Sequence, residues 1–333
     1  MPRNQLIHNW VAEHFPGQAV DIVPASADAS FRRYFRLTLA DGGTRILMDA
    51  PPDKEDCRPF VAVARLLADA GLNAPRILAE DHAQGFLLLN DLGNQLYLDI
   101  LQADTQRAHA LFLDAIDALV TWQQASRPDV LPPYDAALLR RELDLFPEWF
   151  IGRHLGLTLD EKQQVILENT FRLLIDSALA QAKVFVHRDY MPRNLMLSAP
   201  NPAILDFQDA VYGPISYDVA SLFRDAFISW DEKRELDWVI RYWEKARAVG
   251  LPVPADFADF WRDFELMGLQ RHLKVLGIFC RLNYRDGKER YLADLPRFLA
   301  YARSVAGRYS ALKPLLELLD VLEGRQQDIG YTF

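Results

Sequence analysis

The spacing of hydrophobic and polar positions changes character once along the chain. Over residues 30–48, "SFRRYFRLTLADGGTRILM", apolar and aromatic residues alternate with polar ones on both sides of Asp41-Gly42-Gly43. A period of two marks half-buried strands, and the glycines allow the positive φ angles of a tight turn, so the stretch predicts a β-hairpin. "PFVAVARLLADAGL" then has helical spacing and stops near Gly71, while "APRILAED" and "GFLLLNDLG" predict two further short strands. Beyond Gly93 the period lengthens to that of helices, as in "AHALFLDAIDALVTWQQA" and "EKQQVILENTFRLLIDSALAQA". Two short apolar runs, "VFVH" and "AILDF", read as strands set among these helices. From about Asp218 onward the pattern is helix after helix, with no repeat.

The expectation is an α+β chain with a small β-rich lobe over residues 1–90, a hinge at 91–94 within "NDLGN", and a large helical lobe over 95–333. A length of 333 residues agrees, since it exceeds the usual size of one hydrophobic core. The net charge of -9 argues against a broad basic footprint for nucleic acid or an anionic membrane. The N-terminus lacks an apolar signal core and no run approaches a membrane span, so a cytoplasmic location is expected. Cys57 and Cys280 lie far apart without metal-type spacing and read as two reduced thiols.

The chemistry gathers in "VFVHRDYMPRNLML". Phosphoryl transfer from a nucleotide needs a carboxylate near the attacking hydroxyl and oxygen ligands that hold magnesium against the phosphates. Asp189 and Asn194 stand five residues apart in "HRDYMPRN", the spacing of a kinase catalytic loop, and Asp206 follows in "AILDFQDA" at the end of the next apolar run. An Asp and an Asn in a Pro-containing loop are often only turn residues. The ordered pair of motifs, each leaving an apolar strand and joined by the short "LMLSAPNPAI" hairpin, points to chemistry instead.

"VHRDYMPRN" followed by "ILDFQDAVYGPISYDVASL" resembles the motif pair of the aminoglycoside phosphotransferase and choline kinase-like family, over about Ser30 to Leu222. That resemblance implies a bilobal protein-kinase-like fold, with ATP and Mg2+ as cofactors. It implies Asp189 as catalytic base, Asn194 and Asp206 as magnesium ligands, His187 as a loop-orienting residue, and Asp218 as the anchor of the loop backbone. More narrowly, "ASFRRYFRL", "ILMDAPP", "LLLNDLG" and "MGLQRHLKVLGIF" are similar to bacterial anomeric sugar kinases. Those enzymes phosphorylate the C1 hydroxyl of N-acetylmuramate and N-acetylglucosamine in cell-wall recycling.

The pattern departs from kinases in one respect. The third-strand lysine falls at about Met48 and its helix glutamate near Phe60, so both partners of that ion pair are missing together. Arg32 and Arg33 either cover the nucleotide phosphates or form a solvated strand face. There is no glycine-rich phosphate loop of the usual kinds. Backbone groups around Leu89 to Asp91 could pair with an adenine edge at the hinge.

Only eleven residues separate Asp206 from Asp218, too few for a peptide platform, which favours a small-molecule acceptor. Arg271, Lys274 and Arg281 share one helix face that could meet a sugar carboxylate, or could be a solvated face paired with acidic residues. Glu142, Asp144 and Glu148 could bind sugar hydroxyls or be exposed helix carboxylates; Trp149 and Phe150 could form a flat wall for a pyranose ring, with core packing as the default reading. Two rival readings stand beside the sugar kinase. One is an aminoglycoside or other amino-alcohol phosphotransferase, which needs an acidic pocket, and the other is a nucleotide-binding module without catalysis.

Overall fold

The structure, a computed structural model, describes residues 2–27 and 31–325, so Ala29 and Ser30 of "ASFRRYFRL" lie outside the described residues. In chain order the first elements are α1 (Arg3–His14), β1 (Asp21–Ala27), β2 (Arg33–Thr38), β3 (Thr44–Asp49), α2 (Arg58–Asp69), β4 (Ile77–Asp81), β5 (Phe86–Asn90), α3 (Tyr97–Ala103), α4 (Ala108–Gln124), α5 (Ala136–Leu143) and α6 (Glu161–Ala180). There follow β6 (Lys183–Val186), β7 (Leu195–Met196), β8 (Ala203–Ile204), β9 (Val211–Pro214), α7 (Tyr217–Phe223), α8 (Glu232–Ala248), α9 (Phe257–Tyr284), α10 (Leu295–Arg308) and α11 (Lys313–Leu322). The chain divides into two compact units, Met1–Trp122 with Arg193–Ala210, and Gln123–Pro192 with Val211–Phe333. Residues 91–94 fall within the first.

The first unit is built on an antiparallel sheet in the order β1-β2-β3-β5-β4. The predicted hairpin is β2 and β3, in register from Arg33 opposite Asp49 to Thr38 opposite Thr44, and Gly42 turns it at φ 82°. Alternation then sorts the two faces. Leu37, Leu47, Phe86 and Leu88 are buried against Ile7, Trp10 and Val11 of α1, while Tyr34, Arg36, Ile46 and Leu89 of the intervening positions line a cavity. The small β7–β8 pair also belongs to this unit, with Ile204 N–H donating to Asn73 O at 2.8 Å.

In the second unit β6 pairs with β9, from Lys183 opposite Pro214 to Val186 opposite Val211. Its core wraps α9, where Leu269, Leu273 and Leu276 are buried with Phe146, Phe150, Phe171 and Phe298. Gly277 of α9 is required by packing: a Cβ there would lie 2.3 Å from the Leu145 carbonyl oxygen, at the start of the π-helical turns Phe146–His154. Phe150 stacks on Phe146 in this core and Trp149 packs against it, as the core reading of both residues expects.

Three elements are not announced by the pattern. Helix α1 buries only three residues, and β1 carries Pro24 beside an irregularity in its pairing, which weakens the strand signal. Strand β9, "VYGP", lies in the short stretch between Asp206 and Asp218, and its Gly213 sits where a Cβ would be 2.6 Å from Tyr134. Among the described residues, no helix is long and apolar enough to cross a membrane.

Candidate active site

In the first unit the site residues flank the β7–β8 pair, Asn194 just before β7 and Asp206 just after β8, and stand on the sheet face that lines the cavity. Leu205 N–H donates to Asn194 O at 2.9 Å, so leaving β8 the chain carries Asp206 beside Asn194. Asp206 adopts a left-handed φ of 60°, unusual for a side-chain-bearing residue and a frequent mark of a functional position. Its carboxylate accepts from Gln208 Nε2 at 2.9 Å, lies 3.5 Å from Asn194 Nδ2 and 3.7 Å from Arg32 Nη2, and remains a third exposed. A half-turn of the Asn194 amide about Cβ–Cγ exchanges its nitrogen and oxygen and would bring the oxygen to this side. Carboxylate and amide oxygens are hard donors of the kind magnesium takes, and one or two such groups suffice when phosphates complete the shell. The residues therefore fit the ion.

The two arginines of "FRRYFR" part company. Arg32 lies beside Asp206, whereas Arg33 is tied to Asp49, a fully buried carboxylate that also binds Arg3 of α1 at 2.6 Å. Neither forms a simple solvated face.

Beside these residues opens a cavity of about 400 Å³ whose lining includes the apolar Ile46, Leu89, Met196 and Leu205 together with Asn194 and Asp206. Apolar walls with a few convergent polar groups are the usual form of a cofactor site. Phe60, at the position of the absent glutamate, lines the cavity and packs on Phe207 with ring centroids 4.7 Å apart, while Met48 is fully buried. Apolar packing thus occupies the positions of the missing ion pair, an exchange that is often neutral for stability. Leu89, in β5, pairs with both Ile46 and Ile77. The Asp91 side chain is engaged by protein: Arg36 reaches it at 2.6 and 3.1 Å and also donates to Gly93 O at 2.8 Å, while Gly93 N–H donates to Asp91 at 2.9 Å.

In the second unit Asp218, at the start of α7, accepts the backbone N–H of His187 at 2.7 Å and of Arg188 at 3.0 Å, one on each oxygen. Asp189 N–H donates in turn to His187 Nδ1 at 3.2 Å, which puts the imidazole proton on Nε2. Asp218 is fully buried, and burial raises its carboxyl to about 7 against the pull of those two N–H groups. Asp218 thus holds the backbone at His187 and Arg188, and the His187 ring holds the backbone at Asp189.

The expected sugar-binding candidates fare differently. Glu142 is not an exposed helix carboxylate: it is buried and accepts from Arg188, Lys274, Tyr134 and Gln270. Asp144 is half exposed and pairs with Arg140 at 2.7 Å. Arg271 and Lys274 do not form a solvated face, since both are buried, Arg271 at 2% exposure and with its Nε and Nη1 lacking a hydrogen-bond partner. Arg188, Tyr134 and Gln270 were not singled out by sequence. Arg188 stands inside the loop motif, but nothing in the spacing points to its partner 46 residues away.

The family model described as the phosphotransferase enzyme family matches residues 21–258. The chain belongs to that family. Curated relatives named N-acetylmuramate/N-acetylglucosamine kinase include one from Pseudomonas putida, 57% identical over 92% of this chain and 89% of its own, and one from Neisseria meningitidis, 52% identical over the whole of both chains. Among solved structures, a choline/ethanolamine kinase family protein from Mesorhizobium loti superposes with a TM-score of 0.64 at 13% identity, covering 96% of this chain and 100% of that one. An ADP-bound aminoglycoside phosphotransferase gives 0.59 at 12% identity, covering 89% and 97%. These neighbours show a kinase-like fold, and the chain is a kinase of the phosphotransferase family.

Proposed function

We propose that the protein transfers the γ-phosphoryl group of ATP to the anomeric C1 hydroxyl of N-acetylmuramate and N-acetylglucosamine, acting in the cytoplasm on sugars recovered from peptidoglycan. The reading is carried by the Neisseria relative, whose 52% identity spans both chains entirely and so includes the C-terminal helices beyond the family match, where an acceptor pocket would differ between substrates. Asp189 takes or orients the proton of the attacking hydroxyl. Asn194 and Asp206 supply oxygen ligands to Mg2+, which when bound neutralises phosphate charge and aligns the β- and γ-phosphates. Arg32, beside Asp206, is the cation that replaces the third-strand lysine; Arg33 is committed to Asp49. The apolar walls at Ile46, Leu89 and Met196 take the purine.

Phosphate transfer from MgATP across a panel of sugars tests the reading. Both reducing amino sugars should be phosphorylated and their 1-O-methyl glycosides left untouched. Turnover of a methyl glycoside would move the reaction off C1, and preference for amino alcohols would replace the substrate class.

A further inference from the structure

In the second unit one buried carboxylate, Glu142, stands between a buried lysine and a partly buried arginine. Glu142 of α5 receives Arg188 Nη2 at 2.5 Å and Lys274 Nζ at 3.0 Å on Oε1; Tyr134 and, at 3.3 Å, Gln270 donate to Oε2. Lys274 also donates to Tyr217 Oη at 3.0 Å. Burial pushes Glu142 up, but Lys274 and Arg188 hold it down at about 2. Withdrawing these charges wholly or partly from water costs more than their attraction usually returns, so the cluster is a poor device for stability alone.

What the cluster grips is the residue before Asp189. Arg188 has a φ of 76°, a left-handed conformation that arginine rarely adopts unless its surroundings impose it. Its backbone N–H is taken by Asp218 and its guanidinium by Glu142, so backbone and side chain are pinned from α7 and α5 respectively. We infer that Glu142, supported by Lys274 and Tyr134, is a positioning residue that clamps Arg188 and thereby holds the strained backbone that presents Asp189. This inference rests on the reading of Asp189 as the group that meets the acceptor's proton.

The test separates a clamp from a merely structural ion cluster. Glu142→Gln should lower kcat by about 10²-fold, the scale expected from a small misplacement of a reacting group, with the dissociation constant for MgATP unchanged by calorimetry. The substitution also leaves two cations facing an amide and lowers the unfolding midpoint. Adding Lys274→Met restores the cluster's original net charge, so the midpoint should recover while kcat stays low. Recovery of kcat with the midpoint would overturn the inference. Tyr134→Phe, which removes a single donor, should lower kcat severalfold at constant MgATP affinity; native kcat in that variant would count against the clamp. Asp189→Asn run in parallel keeps the two ideas apart: turnover surviving there sinks the base assignment, whereas loss there with native kcat in the double variant sinks the clamp alone.

Discussion

Two acidic side chains, one in each unit, meet opposite surroundings. Asp206 in the first stays a third exposed, with Gln208, Asn194 and Arg32 at 2.9, 3.5 and 3.7 Å. Glu142 in the second is buried and accepts from four donors. A carboxylate that solvent reaches can exchange partners for a ligand; one saturated by protein donors can only hold geometry. Exposure and saturation, more than residue type, separate the chemical role from the positioning role.

The contrast is sharpest if the same kind of change is made in both places. Asp206→Asn should remove several kcal/mol of transition-state stabilisation, seen as a collapse of turnover and a raised magnesium requirement, while the urea midpoint hardly moves. A large fall in stability would put Asp206 in the structural class. Next in size, Asp218→Ala leaves the buried N–H groups of His187 and Arg188 without an acceptor, at about 1–3 kcal/mol for each, read from denaturant unfolding.

Acid and base limbs offer a further check. Glu142 sits at about 2 against an ordinary 4.5, so its contribution to stability is complete above about 4.5 and is lost as pH falls toward 2. Asp218 runs the other way: raised from 3.8 to about 7, its folded form prefers the proton, so its contribution declines as pH rises from 3.8 to 7. The unfolding midpoint should lose its acid limb in Glu142→Gln and its decline toward neutrality in Asp218→Asn. The smallest effect is expected at Arg140, whose exposed pairs with Asp144 and Glu168 should be worth no more than about 1 kcal/mol when Arg140→Ala removes both. A larger loss there would mean that exposure does not discriminate as argued.

Most of the first unit could be read from the chain. Period-two alternation gave the β2–β3 hairpin its faces, and loop spacing brought out Asn194 and Asp206 because ligand chemistry restricts residue type as well as position. The two arginines could not be separated that way, since neighbours on a strand point to opposite faces but spacing does not say what each face meets. The same limit governed α9. Helical periodicity put Arg271 and Lys274 on one side of the helix, and the natural expectation for charges in an acidic chain was water. Their burial depends on Glu142, Tyr217 and Asp218, which approach from elements far away in sequence. Pairings of that range belong to the tertiary structure and leave no local pattern.

The chain leaves the first unit after Trp122 and returns to it only for Arg193–Ala210. That return supplies β7 and β8, which bridge to Leu96 and Asn73, and places Leu205 and Asp206 at the cavity. During synthesis, which proceeds from the N-terminus, the sheet of the first unit emerges early but lacks these strands until residues up to about 210 have been made. The cavity would thus be completed only after α5, α6 and the Asp189 loop already exist, so a truncated or stalled chain of the first 122 residues would lack both proposed metal ligands.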